Sequence, residues 1–192
     1  CKGFPSHPDV GISLFKQLEK QGSNVEEISM SSHFGTHADA PRHFFTGSKS
    51  IESVSLSLMN GKACLLDFTD KTDGGVITRA ELQEKESQIL KYRKILLKTG
   101  WDPLPEAYYK NYPVITVQAA QYLADLGVHM IGMDMPSPGP ANEDGRKIHE
   151  ILLSADVVIV EGLTRLGEIP GDTFFFSCMP LRLEGASGAP CR

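Results

Sequence analysis

The sequence has no CxxC pair; its four cysteines, Cys1, Cys64, Cys178 and Cys191, are scattered. Four unpaired cysteines in a chain of 192 residues do not make a disulfide scaffold. Cys64 and Cys178 read instead as small buried hydrophobes in strands. No apolar run approaches the roughly 20 residues of a membrane span. Nor does any Lys/Arg cluster interrupt the mildly acidic balance, 19 basic against 24 acidic residues and a net charge of −5. Nucleic acid and anionic membrane both need a basic footprint, so neither is expected as a partner. Internal repeats, linkers and low-complexity segments are also missing, which points to a single domain over 1–192. With 41% hydrophobic and 22% charged residues, the composition is that of an ordinary soluble globular chain, and the cytoplasm is the default compartment.

Histidine is sparse as well, six in all, yet three fall within eleven residues. The stretch from Ser32 to Phe44 contains His33, His37 and His43 together with Asp39, all at odd positions. On an extended segment, residues of one parity share a face, so the four groups form a row of nitrogen and oxygen donors. Gly35 and Pro41 interrupt any helix there, and no HExxH glutamate is present, which argues against a helical zinc motif. The donor types suit zinc, manganese or iron, and the lack of cysteine argues against a closed structural zinc site. The competing reading is a loop whose histidines are solvated or satisfy the local backbone.

Apolar runs alternate with helical patterns along the rest of the chain. Strands are expected over Val25–Ser32, Lys62–Phe68, Lys94–Thr99, Val128–Met133, Val157–Val160 and Thr173–Met179. Val10–Gly22 has weak helical features. Thr78 and Glu81 have the capping-box spacing and open a helix to about Leu90. Further helices are expected from Thr116 to Gly127 and over Arg146–Leu153, while Pro103–Pro113 is turn-rich. The implied class is α/β with a mixed sheet and flanking helices.

Three more features bear on chemistry. Glu161 closes the apolar run Val157–Val160, and a carboxylate at the end of a buried strand needs a partner. That partner is either a cation such as Arg165 or Arg182, or a functional site. His149 lies twelve residues upstream on the preceding helix and could join Glu161 in a second half-site. Asp134 and Ser137 follow a strand whose carboxyl end is a place where ligands gather, although Asp134 could equally cap a turn. Phe4, Phe34, Phe44 and Trp101 are candidates for an aromatic-accepting pocket or for the core.

The segment from His33 to His43 matches in full the signature HxGTHxDxPxH of the cyclase family, which includes bacterial kynurenine formamidase and isatin hydrolase. Thr99-Gly100-Trp101, Gly132-Met133-Asp134, His149, Glu161-Gly162-Leu163-Thr164 and Met179-Pro180-Leu181 resemble later family landmarks in family order. The resemblance implies a swivelling β/β/α domain, trimmed at both termini, that assembles as a homodimer or homotetramer. It implies metal ligands His33, His37 and Asp39, with Asp39 bridging to a second ion held by His149 and Glu161, and His43 as general acid/base. The implied cofactor is one or two divalent ions, Zn2+ or Mn2+. The implied activity is hydrolysis of a C–N bond in a small-molecule amide, as in arylformamidase. The alternatives are a lactam hydrolase like isatin hydrolase, a metal-dependent cyclase or dehydratase, and a non-catalytic metal- or ligand-binding module. Thr36 departs from characterised formamidases, which tend to have alanine there.

Overall fold

A computed structural model of the chain describes residues 4–71, 73–101 and 107–192. Cys1 and the first part of the turn-rich segment at 103–113 lie outside them. The chain opens with β1 (Gly11–Lys16), a one-turn helix α1 (Leu18–Gln21), β2 (Val25–Ser29) and β3 (His37–Asp39). The one-turn helix α2 (Leu56–Met59), β4 (Asn60–Asp67), β5 (Val76–Ile77), α3 (Arg79–Gln83) and α4 (Glu86–Tyr92) follow. Next come β6 (Lys94–Lys98), β7 (Val114–Ile115), α5 (Val117–Asp125), β8 (Met130–Met133) and α6 (Glu143–Ser154). The last strands are β9 (Val158–Glu161), β10 (Thr173–Ser177) and β11 (Gly188–Pro190).

Seven strands form one mixed sheet in the order β10-β4-β6-β8-β9-β3-β11. Its central four, β4, β6, β8 and β9, are parallel; β10 and β3 flank them antiparallel, and β11 pairs antiparallel with β3 at the edge. The central strands are near-continuous apolar runs because both faces of the sheet are covered. Alternation sends Cys64, Leu66, Ile95, Leu97, Ile131, Met133 and Ile159 to one face, where α3, α4, α5 and α6 pack on them. It sends Ala63, Leu65, Leu96, Met130, Val158 and Val160 to the other, covered by Ile51, Met59, Leu166 and Cys178. The same rule places His37, Asp39 and Glu161 on the helix-covered face, because Ala38 and Val160 between them belong to the opposite cluster.

Most expected elements form, with three differences. Val10–Gly22 is helical only over its end, as α1, and begins with β1, because Ile12 finds its cross-strand partner in Ile28 of β2, and pairing outweighs weak local propensity there. The capping box at Thr78 forms as read, with Thr78 N–H donating to Glu81 Oε2 at 2.8 Å, but the helix breaks at Lys85 and resumes as α4. Gly188–Pro190, to which the sequence assigns no element, becomes an edge strand through its ladder with β3. Proline is tolerated at such an edge. Cys64 is buried in β4, and Cys178 is buried one residue past the end of β10. No helix among the described residues is long and apolar enough to cross a membrane.

Asp134, one of the candidate functional residues, has a structural task. Its carboxylate accepts from Thr99 N (3.0 Å), Thr99 Oγ1 (2.7 Å) and Gly100 N (2.8 Å), joining the ends of β6 and β8. Replacing Asp134 with alanine leaves those buried amides without an acceptor. Asp134→Ala should therefore lower the unfolding free energy by about 2–4 kcal/mol in urea titration while metal content stays unchanged. A variant of normal stability that binds less metal would place Asp134 in the functional site instead.

Candidate metal centre

The row of donors expected on one extended segment is brought together by three different local structures. Only His37 and Asp39 lie on a strand, β3. His33 precedes it in a turn and His43 follows in a 3-10 turn over Pro41–His43, where proline favours helical φ at the first position. The four groups converge, but shared strand parity accounts only for the central two. Glu161 comes from β9, directly opposite His37 in the antiparallel register. His149 comes from the buried face of α6, whose first turn is capped by Asn142 accepting from Asp144 N and Gly145 N.

Two clusters of donor atoms result, His33 with His37 and Asp39, and Asp39 with His149 and Glu161. Within each cluster one atom per residue lies within 4.8 Å of the others, and Asp39 belongs to both. Backbone carbonyls fix two of the rings. His37 Nδ1 donates to Gly35 O (2.9 Å) and His149 Nδ1 donates to Gly145 O (2.7 Å), which assigns Nε2 of each ring to the centre. There His37 Nε2 lies 3.4 Å from Asp39 Oδ1 and 3.2 Å from Glu161 Oε2, and His149 Nε2 lies 3.3 Å from Glu161 Oε1. His33 presents Nδ1 to Asp39 Oδ1 at 2.8 Å and Nε2 to the Ser187 hydroxyl at 2.9 Å. His43 belongs to neither cluster; its ring stacks on that of His33 with centroids 4.0 Å apart.

Several positions that hold this arrangement escape a reading by motif. A Cβ on Gly188 would lie 2.7 Å from His33 Cε1, so β11 must carry glycine there for the ring to fit. A Cβ on Gly145 would lie 1.8 Å from Pro140 O, so the start of α6 can approach the preceding loop only as glycine. Thr36 donates its hydroxyl to Gly162 O at 2.6 Å, tying the signature segment to the residue after Glu161. Glu161 itself is paired with the two histidines, not with Arg165, which bonds Glu168.

The centre is buried, and its groups titrate accordingly. Burial and the nearby Asp39 carboxylate both oppose charge on Glu161, but hydrogen bonds from His149 and His37 outweigh them and hold it below the usual range. Asp39, 1% exposed, is likewise opposed by burial, yet the His33 hydrogen bond and the neighbouring imidazoles hold its carboxyl well down. Burial also works against a charged His37, but the Glu161 hydrogen bond and the fields of Asp39 and Glu161 raise its pKa to about 9. His149 is raised for similar reasons, burial again opposing and Glu161 prevailing. His43 goes the other way: burial lowers it to about 4, more than Asp39 restores, so it is neutral at pH 7.

These residues fit a divalent cation. Asp39 Oδ2 is buried with no hydrogen-bond partner, an arrangement that costs stability unless a cation meets it. The donors are imidazole nitrogens and carboxylate oxygens without thiolate, the set that suits zinc or manganese.

The centre opens on a cavity of about 520 Å³ lined by His33, His37, His43, His149 and Glu161. Phe4, Phe44, Tyr108, Tyr109 and Tyr112 give it an aromatic wall, and Ser137 also reaches it. Of the four aromatic candidates, Phe34 and Trp101 do not line it; Trp101 packs on the helix-side core and donates Nε1–H to Tyr108 O at 3.0 Å. The tyrosines replace them, and only their place in a turn-rich segment hinted at a site.

The family described as "Putative cyclase" matches residues 3–140, which include His33, His37, Asp39 and His43. The chain belongs to the cyclase family. Kynurenine formamidase of Geobacillus thermodenitrificans is 31% identical over 178 residues, covering 93% of this chain and 82% of the relative. Kynurenine formamidase of Bordetella avium is 30% identical, covering 88% and 78%. Among solved structures, a potential metal-dependent hydrolase with cyclase activity superposes with a TM-score of 0.73 at 30% identity, covering 94% of this chain and 84% of that one. Isatin hydrolase A from Labrenzia aggregata shares the fold at a TM-score of 0.83 and 19% identity, covering 97% and 82%.

Protonated His37 makes the metal-free protein sensitive to pH in a defined direction. Its pKa rises on folding from about 6.5 to about 9, so its contribution is complete below pH 6.5 and lost as pH rises through 9. Chelated protein should lose on the order of 3 kcal/mol between these values, read as a falling thermal midpoint, whereas metal-loaded protein should not. An equally flat profile for both forms would remove the proton from His37.

Proposed function

We propose that this cyclase-family chain is a metal-dependent amidohydrolase of arylformamidase type, cleaving N-formylkynurenine to kynurenine and formate. The observation that carries the reading is the shared Asp39, buried with one unpartnered oxygen between two histidine clusters that open on an aromatic-walled cavity. A volume of about 520 Å³ suits one small aromatic substrate. Relatives called kynurenine formamidase, about 30% identical over most of the chain, support the choice of substrate. The composition suits a cytoplasmic enzyme.

In this reading His33, His37 and Asp39 hold one divalent ion, Zn2+ or Mn2+, and Asp39, His149 and Glu161 form the place for a second. When bound, such an ion supplies Lewis acidity, acidifying water and drawing charge from a carbonyl oxygen. The protein's own groups do the rest. The carbonyls of Gly35 and Gly145 keep His37 Nε2 and His149 Nε2 turned inward. The aromatic wall sets the ring of the substrate so that its formyl group meets the centre and bulk water is displaced. Neutral His43, beside the donors but outside both clusters, accepts the proton of the attacking water. It returns that proton to the leaving nitrogen as the C–N bond breaks, giving an amine and a carboxylate.

His43→Ala should retain its metal and lower kcat by about 10²–10⁴-fold; unchanged turnover with metal in place would remove His43 from the mechanism. Assays of N-formylkynurenine and isatin side by side in oxygen-18 water test the reaction class. Label should enter formate, and turnover of isatin alone would make the enzyme a lactam hydrolase. Product without label would indicate cyclase or dehydratase chemistry, and no turnover across amides, lactams and lactones would leave a binding module.

A further inference from the structure

Helix α6 lines the cavity with one face. Asn142, Gly145, Arg146 and His149 all reach it, at the spacing of residues that share a helical face. The face runs from solvent to the centre. The Arg146 side chain is 63% exposed, whereas His149 is buried with its Nε2 3.3 Å from Glu161 Oε1. Arg146 is the only lysine or arginine among the described residues that line the cavity. Neither the donor clusters nor the acid/base role of His43 uses it.

Its guanidinium is oriented but not used up. Glu150, one turn further along α6, accepts from Arg146 Nε at 2.9 Å, and no other described residue bonds the group. The terminal nitrogens are left as a fork, the geometry that meets a carboxylate through parallel hydrogen bonds. Glu150 and Glu143 offset the positive charge, so the shape of the fork selects a planar acceptor more than a long-range field does. Residues three apart on a helix have Cβ atoms about 5–6 Å apart. A ligand whose reacting group meets the centre at His149 can therefore extend a second group to Arg146. We infer that Arg146 determines specificity at this site by pairing with a carboxylate that the substrate carries several bonds away from its scissile amide. This role rests on the amidohydrolase reading above and narrows it, favouring an aryl amide with an anionic tail over a neutral aryl amide or lactam. N-formylkynurenine has such a tail, on the side chain beside its formamide; isatin has none.

The test compares two formamides on the metal-loaded full chain. One is N-formylkynurenine; the other is kynuramine formylated on its ring nitrogen, the same molecule without the carboxyl group. The unmodified chain should show a kcat/KM about 10-fold or more higher for the acid, chiefly through KM, and Arg146→Leu should remove that preference. Arg146→Lys keeps a cation but not the fork, so it should restore only part of the preference; full recovery would overturn the forked pairing. Circular dichroism should show both variants folded, since an exposed ion pair contributes little to stability. Calorimetric titration with kynurenine and with kynuramine reads the same contrast without turnover. A preference that survives in Arg146→Leu, or that the unmodified chain lacks, overturns the role of Arg146, because loss of a merely structural contact would weaken both ligands alike. Failure of the amidohydrolase reading looks different. Neither formamide would then be turned over, while kynurenine would still bind about 10-fold more tightly than kynuramine and Arg146→Leu would abolish the difference.

Discussion

Two carboxylates, Asp39 and Glu161, are buried together on neighbouring strands with His149 between their reach. Within 4.8 Å and at an effective dielectric near 20, two such charges repel by at least about 3.5 kcal/mol, a large fraction of the stability of a domain. The fold brings them together only because positive charge meets them there. His37, whose pKa these carboxylates raise to about 9, brings positive charge to them. One or two divalent cations would supply it more completely, and would also satisfy the Asp39 oxygen that no donor reaches. The donor set therefore fits a cation before any substrate is considered.

The sheet makes this meeting possible. Parity directs His37, Asp39 and Glu161 to the face that the helices cover, and the antiparallel register of β3 on β9 sets His37 against Glu161. Helix α6 then brings His149 down on the same face, its Nδ1 tied to the carbonyl one turn earlier. Close approaches at Gly145 and Gly188 allow the helix and the edge strand to stand near enough for these contacts. His43 gains its neutral ring from burial beside the cluster, not from a hydrogen-bond partner, which separates it chemically from the residues it stacks on.

Much of this was legible in the order of residues, and the exceptions have a common cause. The apolar strands, the capping box at Thr78 and the helices beginning at Thr116 and near Arg146 follow from local patterns, and they formed. The start of Val10–Gly22 is a strand through its pairing with the next strand, and Gly188–Pro190 is one through a partner far along the chain; local propensity misassigned the first and missed the second. Asp134 looked equally able to cap a turn or serve a site, because a sequence does not say which amides will point at a carboxylate. The tyrosines of the cavity wall sat in a segment whose only signal was its turns.

The donor types, their density between His33 and His43, and membership of the cyclase family need only residue identity and spacing. The tertiary structure decided which donors share a carboxylate, which nitrogen each ring presents, and which way burial moves each proton. It also set the cavity beside them. The meeting of Asp39 with His149 and Glu161 depends on distances between residues more than a hundred positions apart, which the packing of the sheet and its helices fixes and local chemistry does not.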